Sequence, residues 1–186
     1  MTTHIAITGS FASGKSFVLE CLKSMGYEIF SCDEYIKKLY EDKVLQKLVI
    51  NSINGLDEFN KNKLINIIYN DEQSRKKLEA IIHPMVRSGI KKFEEQNSAK
   101  SLIFSEVPLL FESGFNQYFS YNICVYCAEK TRLQRAKIRG AKYSELFEKI
   151  AKIQLPQEEK KQLADFTIDS EMEIAEIKQS LQKIIN

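Results

Sequence analysis

Residues 9–16 read Gly9-Ser10-Phe11-Ala12-Ser13-Gly14-Lys15-Ser16, which meets G-x-x-x-x-G-K-[ST] at every fixed position. No other stretch restricts the fold as much, because the pattern needs a strand before it and a helix after it. Both are present. Ile5-Ala6-Ile7-Thr8 is an apolar run with the character of a buried strand, and Phe17-Val18-Leu19-Glu20-Cys21-Leu22 opens as a helix. Two glycines let the backbone curl until successive N–H groups face one cavity, and the helix N-terminus beneath adds partial positive charge. Such a cradle selects phosphate. Ser10, Phe11, Ala12, Ser13, Gly14, Lys15, Ser16 and Phe17 are therefore the candidate nucleotide-binding residues. Lys15 is expected to reach the β- and γ-phosphates and the Ser16 hydroxyl to ligate Mg²⁺. The alternative is a Gly/Ser turn with no ligand.

The length of 186 residues suits one domain. A net charge of +2 argues against a dedicated nucleic-acid binder, which carries a stronger basic bias. No apolar run approaches the ~20 residues of a membrane span, and the N-terminus lacks the pattern of a secretory signal. A cytoplasmic protein without nucleic-acid or membrane partners is expected. Cys124-Val-Tyr-Cys127 has C-x-x-C spacing, but it lies in an apolar run and no second pair follows it. Two thiols in or beside a core strand account for it better than a zinc or redox site.

Short apolar runs alternate with longer amphipathic ones, the pattern of an α/β protein with a largely parallel sheet. Strands are expected at 4–8, 27–30, 102–106, 122–126 and 166–168. Helices are expected at 15–25, 34–49, 61–69, 74–96, 130–139, 144–153 and 171–185. About seventy mostly helical residues separate the second strand from the third, far more than a plain crossover needs. That insertion is expected to build a substrate-binding subdomain. Ligands of such sheets bind beyond the carboxyl ends of the strands, so the residues there matter most.

After the second strand comes Ser31-Cys32-Asp33-Glu34. Asp33 can accept the proton of a hydroxyl attacking a γ-phosphate, or it can cap the next helix, and the two roles are compatible. Glu106, at the end of the third strand, stands where a carboxylate would hold the Mg²⁺ shell. Leu109, Leu110 and Phe111 suit either a pocket for a flat or apolar ligand or ordinary core packing. Three of the five arginines, Arg132, Arg135 and Arg139, fall at i, i+3 and i+7 and share one helical face. Arginine forks grip phosphate oxygens, so this face followed by Gly140 reads as a closing lid, against the alternative of a solvated basic surface. His83-Pro84 ends a helical run, and Pro84 is expected to break or kink it.

Taken together these segments resemble the dephospho-coenzyme A kinase family of P-loop proteins over nearly the whole chain. The resemblance rests on Thr8–Ser16, on Ser31-Cys32-Asp33, and on Leu78-Glu79-Ala80-Ile81-Ile82-His83-Pro84-Met85-Val86. It rests also on Glu106 to Glu112, on Arg135 and Arg139 followed by Gln154, and on Ala164-Asp165-Phe166-Thr167-Ile168-Asp169-Ser170. The His-Pro and Pro-Leu-Leu-Phe-Glu elements are far more specific than the glycine loop.

The resemblance implies a P-loop kinase three-layer α/β/α fold with a five-stranded parallel sheet, a helical substrate-binding insertion and a small lid. One domain over residues 1–186 is expected, with a core at about 1–30, 101–138 and 162–186, an insertion at 31–100 and a lid at 139–161. The implied activity is ATP-dependent phosphorylation of the 3′-hydroxyl of dephospho-CoA by a monomer. Asp33, Lys15 and Arg139 would be catalytic, with Arg135 and Arg139 on the nucleotide and Ser16 and Glu106 on Mg²⁺. Asp33, His83, Pro84, Leu109, Leu110 and Phe111 would meet the acceptor. The chain departs from the family pattern at Ser31 and Glu106, where aspartates are usual, at Ser170 in place of asparagine, and at Lys61, often arginine. Another small-molecule or nucleoside P-loop kinase, or a nucleotide-binding module without catalysis, are the competing readings.

Overall fold

The computed structural model describes residues 2–185, with residues 141–143 given for their backbone only. Two units divide the chain: residues 1–31 with 94–186, and Cys32–Phe93. Met1 and Asn186 of the expected 1–186 span lie outside the described residues.

The first unit carries five strands: β1 (Thr3–Thr8), β2 (Ile29–Ser31), β3 (Leu102–Glu106), β4 (Tyr121–Tyr126) and β5 (Phe166–Asp169). They pair in the order β2-β3-β1-β4-β5, and every pairing is parallel. The chain leaves β1 for one side of the sheet and later returns past it to the other. The crevice at the carboxyl end of β1 is therefore a topological switch point. The register puts Glu106 of β3 opposite both Ile7 of β1 and Ser31 of β2.

Alternation along the strands sorts the two faces. Ile5, Ile7, Phe104, Ile123, Val125 and Ile168 form one core with Val18, Leu19 and Leu22 of α1 (Lys15–Ser24) and Ile177 and Leu181 of α9 (Ile174–Ile185). Each such side chain contributes about 1.5–3 kcal/mol when fully buried. His4, Ala6, Ser105 and Cys124 point to the other face, where α8 (Gln157–Leu163) lies along β4. The result is a three-layer α/β/α arrangement. α6 (Glu129–Ile138) and α7 (Ala141–Ile153) follow β4 and pack on each other.

The second unit holds α2 (Cys32–Leu39), α3 (Lys43–Ser52), α4 (Lys61–Asn70) and most of α5 (Glu72–Gln96). Two expectations are corrected here. The single helix at 34–49 is two, because the Asp42 carboxylate accepts from the Val44 N–H at 2.7 Å and starts α3 afresh. α5 runs unbroken through Pro84, in keeping with the expected helix at 74–96 and against the expected break at that proline. Pro84 and Ala80, whose carbonyl loses its helical donor, are both exposed, so water can satisfy that carbonyl. His83 consequently sits within a helix rather than at its end.

α8 was not anticipated from sequence, and α9 starts at Ile174 rather than at 171. The Glu176 side chain accepts from the Glu173 N–H at 3.0 Å, half of a capping box that sets this start.

Candidate active site

The loop after β1 has the backbone that its sequence demands. Gly9 and Gly14 adopt φ values of 147° and 97°. A Cβ on Gly9 would lie 2.2 Å from the Val125 carbonyl oxygen, and one on Gly14 would lie 2.6 Å from Ser170 Oγ. Both glycines are thus required for space as well as for rotation. Ala12 is the one non-glycine residue described at positive φ, at 61°. Lys15 arches back over the loop, donating to the Gly9 and Ser10 carbonyls at 2.9 and 3.1 Å. Its ammonium is held across the mouth of the cradle. Ser10 and Ser13 are buried, whereas Ser16 and Phe17 at the helix start are exposed.

At the sheet edge beside the loop, Ser31 Oγ donates to Glu106 Oε2 at 2.8 Å, and Glu106 is buried. Register explains the contact, since the two residues end neighbouring strands in step. Serine thus gives the neighbouring carboxylate a donor where the family pattern would add a second negative charge.

The arginines divide. Arg135 Nη1 donates to Ser170 Oγ at 2.8 Å and to Cys127 Sγ at 3.4 Å, while Nη2 reaches the Ser170 carbonyl at 3.1 Å. Ser170 Oγ in turn donates to the Ser13 carbonyl at 2.6 Å. Arg135 therefore braces the glycine loop through Ser170. Burial pushes the Cys127 thiol up, and the guanidinium opposes that shift. Arg132 lays its guanidinium over the Phe147 ring at 5.5 Å. Arg139 ends α6 and is exposed. Glu171 orients this helix: its carboxylate accepts from the Ala128 N–H at 2.7 Å and from Thr131 Oγ1 at 2.5 Å, doing what Ala128 cannot do as a cap.

Sequence reasoning missed a strap behind the loop. The Gln154 side-chain carbonyl accepts from the Phe11 N–H at 2.9 Å. The Leu155 N–H donates to Glu112 Oε1 at 2.9 Å. Lys160 is fully buried, pairs with Glu112 Oε1 at 2.8 Å and donates to the Pro108 carbonyl at 2.9 Å. Gln157 exchanges two hydrogen bonds with the Cys127 backbone. Glu112 and Gln154 stood within the resemblance, but no local pattern joined them to Lys160 or to the glycine loop.

The Pro108–Phe111 segment mixes exposures. Leu110 is fully buried, whereas Leu109 and Phe111 keep part of their surface open. In the second unit, Asp33 lies inside the first turn of α2 and is exposed, so it is not the residue preceding that helix. Tyr69 is pushed above its ordinary value by burial and, secondarily, by the Asp33 carboxylate nearby. His83 is half-buried and Pro84 exposed; burial lowers the His83 imidazole, Glu79 opposes that and Arg87 reinforces it.

A glycine loop bridged by its own lysine, at the switch point of a 2-3-1-4-5 parallel sheet with a carboxylate on the next strand, defines a P-loop nucleotide-binding protein. The comparisons narrow the class. A family model described as dephospho-CoA kinase matches residues 3–176. The dephospho-CoA kinase of Rickettsia prowazekii is 41% identical over 181 residues, covering 97% of this chain and 95% of the relative. Among solved structures, TT1252 from Thermus thermophilus superposes with a TM-score of 0.84 at 27% identity, covering 99% of this chain and 96% of the other. A dephospho-CoA kinase from Campylobacter jejuni gives a TM-score of 0.66 at 25% identity, with 100% and 96% covered. The chain belongs to the dephospho-CoA kinase family, enzymes that transfer phosphate from ATP.

Proposed function

We propose that this chain transfers the γ-phosphoryl group of ATP to the 3′-hydroxyl of dephospho-CoA, giving CoA and ADP, the last step of coenzyme A biosynthesis. The observation that carries the acceptor is the family match across residues 3–176. The arched Lys15 and the loop N–H groups suit a polyphosphate.

Each residue then has a task. Lys15 leaves the Gly9 and Ser10 carbonyls for the β- and γ-phosphates. Asp33 takes the proton of the attacking hydroxyl; its exposure leaves the carboxylate accessible. Arg139 swings in with the lid to offset charge on the transferring group, and Arg135 keeps the loop in shape from Ser170. His83, Pro84, Leu109 and Phe111 contact the acceptor, with Leu110 supporting the last two from the core.

Mg²⁺ fits the donor set. Ser16 and Glu106 offer hard oxygens of the kind Mg²⁺ takes. A cation that keeps several waters and phosphate ligands needs few protein donors. When bound it neutralises charge on the phosphates. No helix among the described residues is long and apolar enough to cross a membrane. A monomer working in the cytoplasm, without nucleic acid, is the proposed setting.

The test is incubation of the protein with MgATP and dephospho-CoA, with adenosine, cytidylate and gluconate in parallel, following ADP release and product mass. Phosphate added to dephospho-CoA alone is expected. Phosphate added to another acceptor instead would overturn the substrate.

A further inference from the structure

We infer that Gln154 is a positioning residue for phosphoryl transfer: it fixes the glycine loop at Phe11 and makes the shape of that loop depend on α7. The reasoning starts at Ala12. A non-glycine residue at φ 61° is strained, and such strain persists only where the surroundings over-determine it. On the far side of Ala12 the Ser13 N–H donates to the Ser10 carbonyl within the loop at 3.1 Å, and Ser170, from the end of β5, donates to the Ser13 carbonyl. On the near side, Gln154 Oε1 takes the Phe11 N–H at 2.9 Å, and the Phe11 ring meets Phe147 of α7 edge-on, 6.2 Å between centroids.

Gln154 is itself held from behind. It is the residue that ends α7, its own N–H donates to the Ile150 carbonyl, and the next residue hydrogen-bonds Glu112. Glu112 is anchored by the buried Lys160. The acceptor at Phe11 is therefore fixed to the core and cannot drift with the surface. At the other end α7 begins after Gly140, which sits at φ 119° with nothing within 4 Å of a would-be Cβ. One end of the helix is pinned to the phosphate loop and the other hangs on an unencumbered glycine. Phe147, buried between Phe11 and the Arg132 guanidinium, carries the side of α7 to the same loop.

The residue type fits the task. An amide oxygen accepts the loop N–H without placing an anion beside a polyphosphate. A carboxylate would make the same hydrogen bond and repel the nucleotide.

The inference rests on the proposed kinase reading only for its turnover readout. The experiment measures MgATP binding by calorimetry, turnover with dephospho-CoA, and amide exchange at Phe11, for wild type, Gln154→Leu and Gln154→Glu. Gln154→Leu is expected to bind ATP about tenfold more weakly, a factor set by loss of one hydrogen bond at a strained loop. It should also lower kcat, leave KM for dephospho-CoA unchanged, and speed exchange at Phe11. Gln154→Glu is expected to keep Phe11 protected yet bind ATP poorly at low salt, with the deficit shrinking as salt screens the repulsion. Wild-type ATP affinity in Gln154→Leu, or a salt-independent deficit in Gln154→Glu, would overturn the inference. Should Gln154→Leu fail to fold, the salt response of Gln154→Glu decides alone. ATP binding that responds as described without any transfer to dephospho-CoA would sink the acceptor reading and leave the role of Gln154 standing.

Discussion

Ser170 Oγ donates to the Ser13 carbonyl at 2.6 Å, so the end of the last strand is bonded directly to the glycine loop that follows the first. The same hydroxyl accepts from Arg135, and the space for it exists only because residue 14 has no side chain. Ser170→Ala leaves a buried carbonyl and a guanidinium short of partners, at a cost of about 1–3 kcal/mol. Urea unfolding checks the loss, and ATP affinity should fall with it. Gly14→Ala should be worse, because its Cβ would press on Ser170 from a backbone at φ 97°.

Asp33→Asn is expected to lower kcat by roughly 10²–10⁴-fold while leaving ATP affinity near wild type, the range a positioned general base supplies. Unchanged turnover would remove Asp33 from proton transfer.

If the proposed lid brings Arg139 to the transferring group, Arg139→Ala should reduce kcat by at least about tenfold without destabilising the fold, since the side chain is exposed. Single-turnover kinetics separates this from slower product release. An unaltered chemical step would make Arg139 a surface charge.

Lys160 is fully buried and pairs with the partly buried Glu112, so removing the carboxylate strands a buried ammonium and removing the ammonium leaves a largely desolvated carboxylate. Lys160→Met should destabilise by about 3–5 kcal/mol. Lys160→Met combined with Glu112→Leu should recover much of that, because no charge is left without a partner. Chemical denaturation of the four proteins closes the cycle. Additive losses would show that the pair is not coupled.

His4 is buried against Ser105, Nε2 to Oγ 2.7 Å, and burial pulls its imidazole down to about 4 from the usual 6.5. The unfolded chain thus binds the proton more readily than the folded one between these values. The contribution of His4 is complete above pH 6.5 and is lost as pH falls towards 4, by on the order of 3 kcal/mol. Unfolding midpoints compared at pH 7 and pH 5 should differ less in His4→Gln than in wild type.

Local patterns carried the sheet and the phosphate loop because their information is local. A continuous apolar run marks β1, and the glycines mark the turn. What sequence did not disclose depends on partners far along the chain. Lys160 reads as a solvated lysine until Glu112 and Pro108 are seen beside it. Arg135, expected on the nucleotide, also holds Ser170, a contact 35 residues along the chain that no local pattern announces. The Asp42 cap that divides α2 from α3 is a local signal, an aspartate before a fresh helical turn, and the expected helix at 34–49 passed over it. Pro84 misled in the other direction, because its tolerance depends on solvent at the Ala80 carbonyl rather than on the proline itself.

The position of β1 has a consequence for how the chain comes into being. β1 pairs only with β3 and β4, beginning with Thr3 against Leu102. At synthesis rates of about 5–20 residues per second, the apolar strand waits roughly 5–20 s for its first partner to be made. Its phosphate loop waits longer still, for Gln154 and then Ser170. The loop can take the braced form described above only after a ribosome has added the 157 residues that separate Ser13 from Ser170.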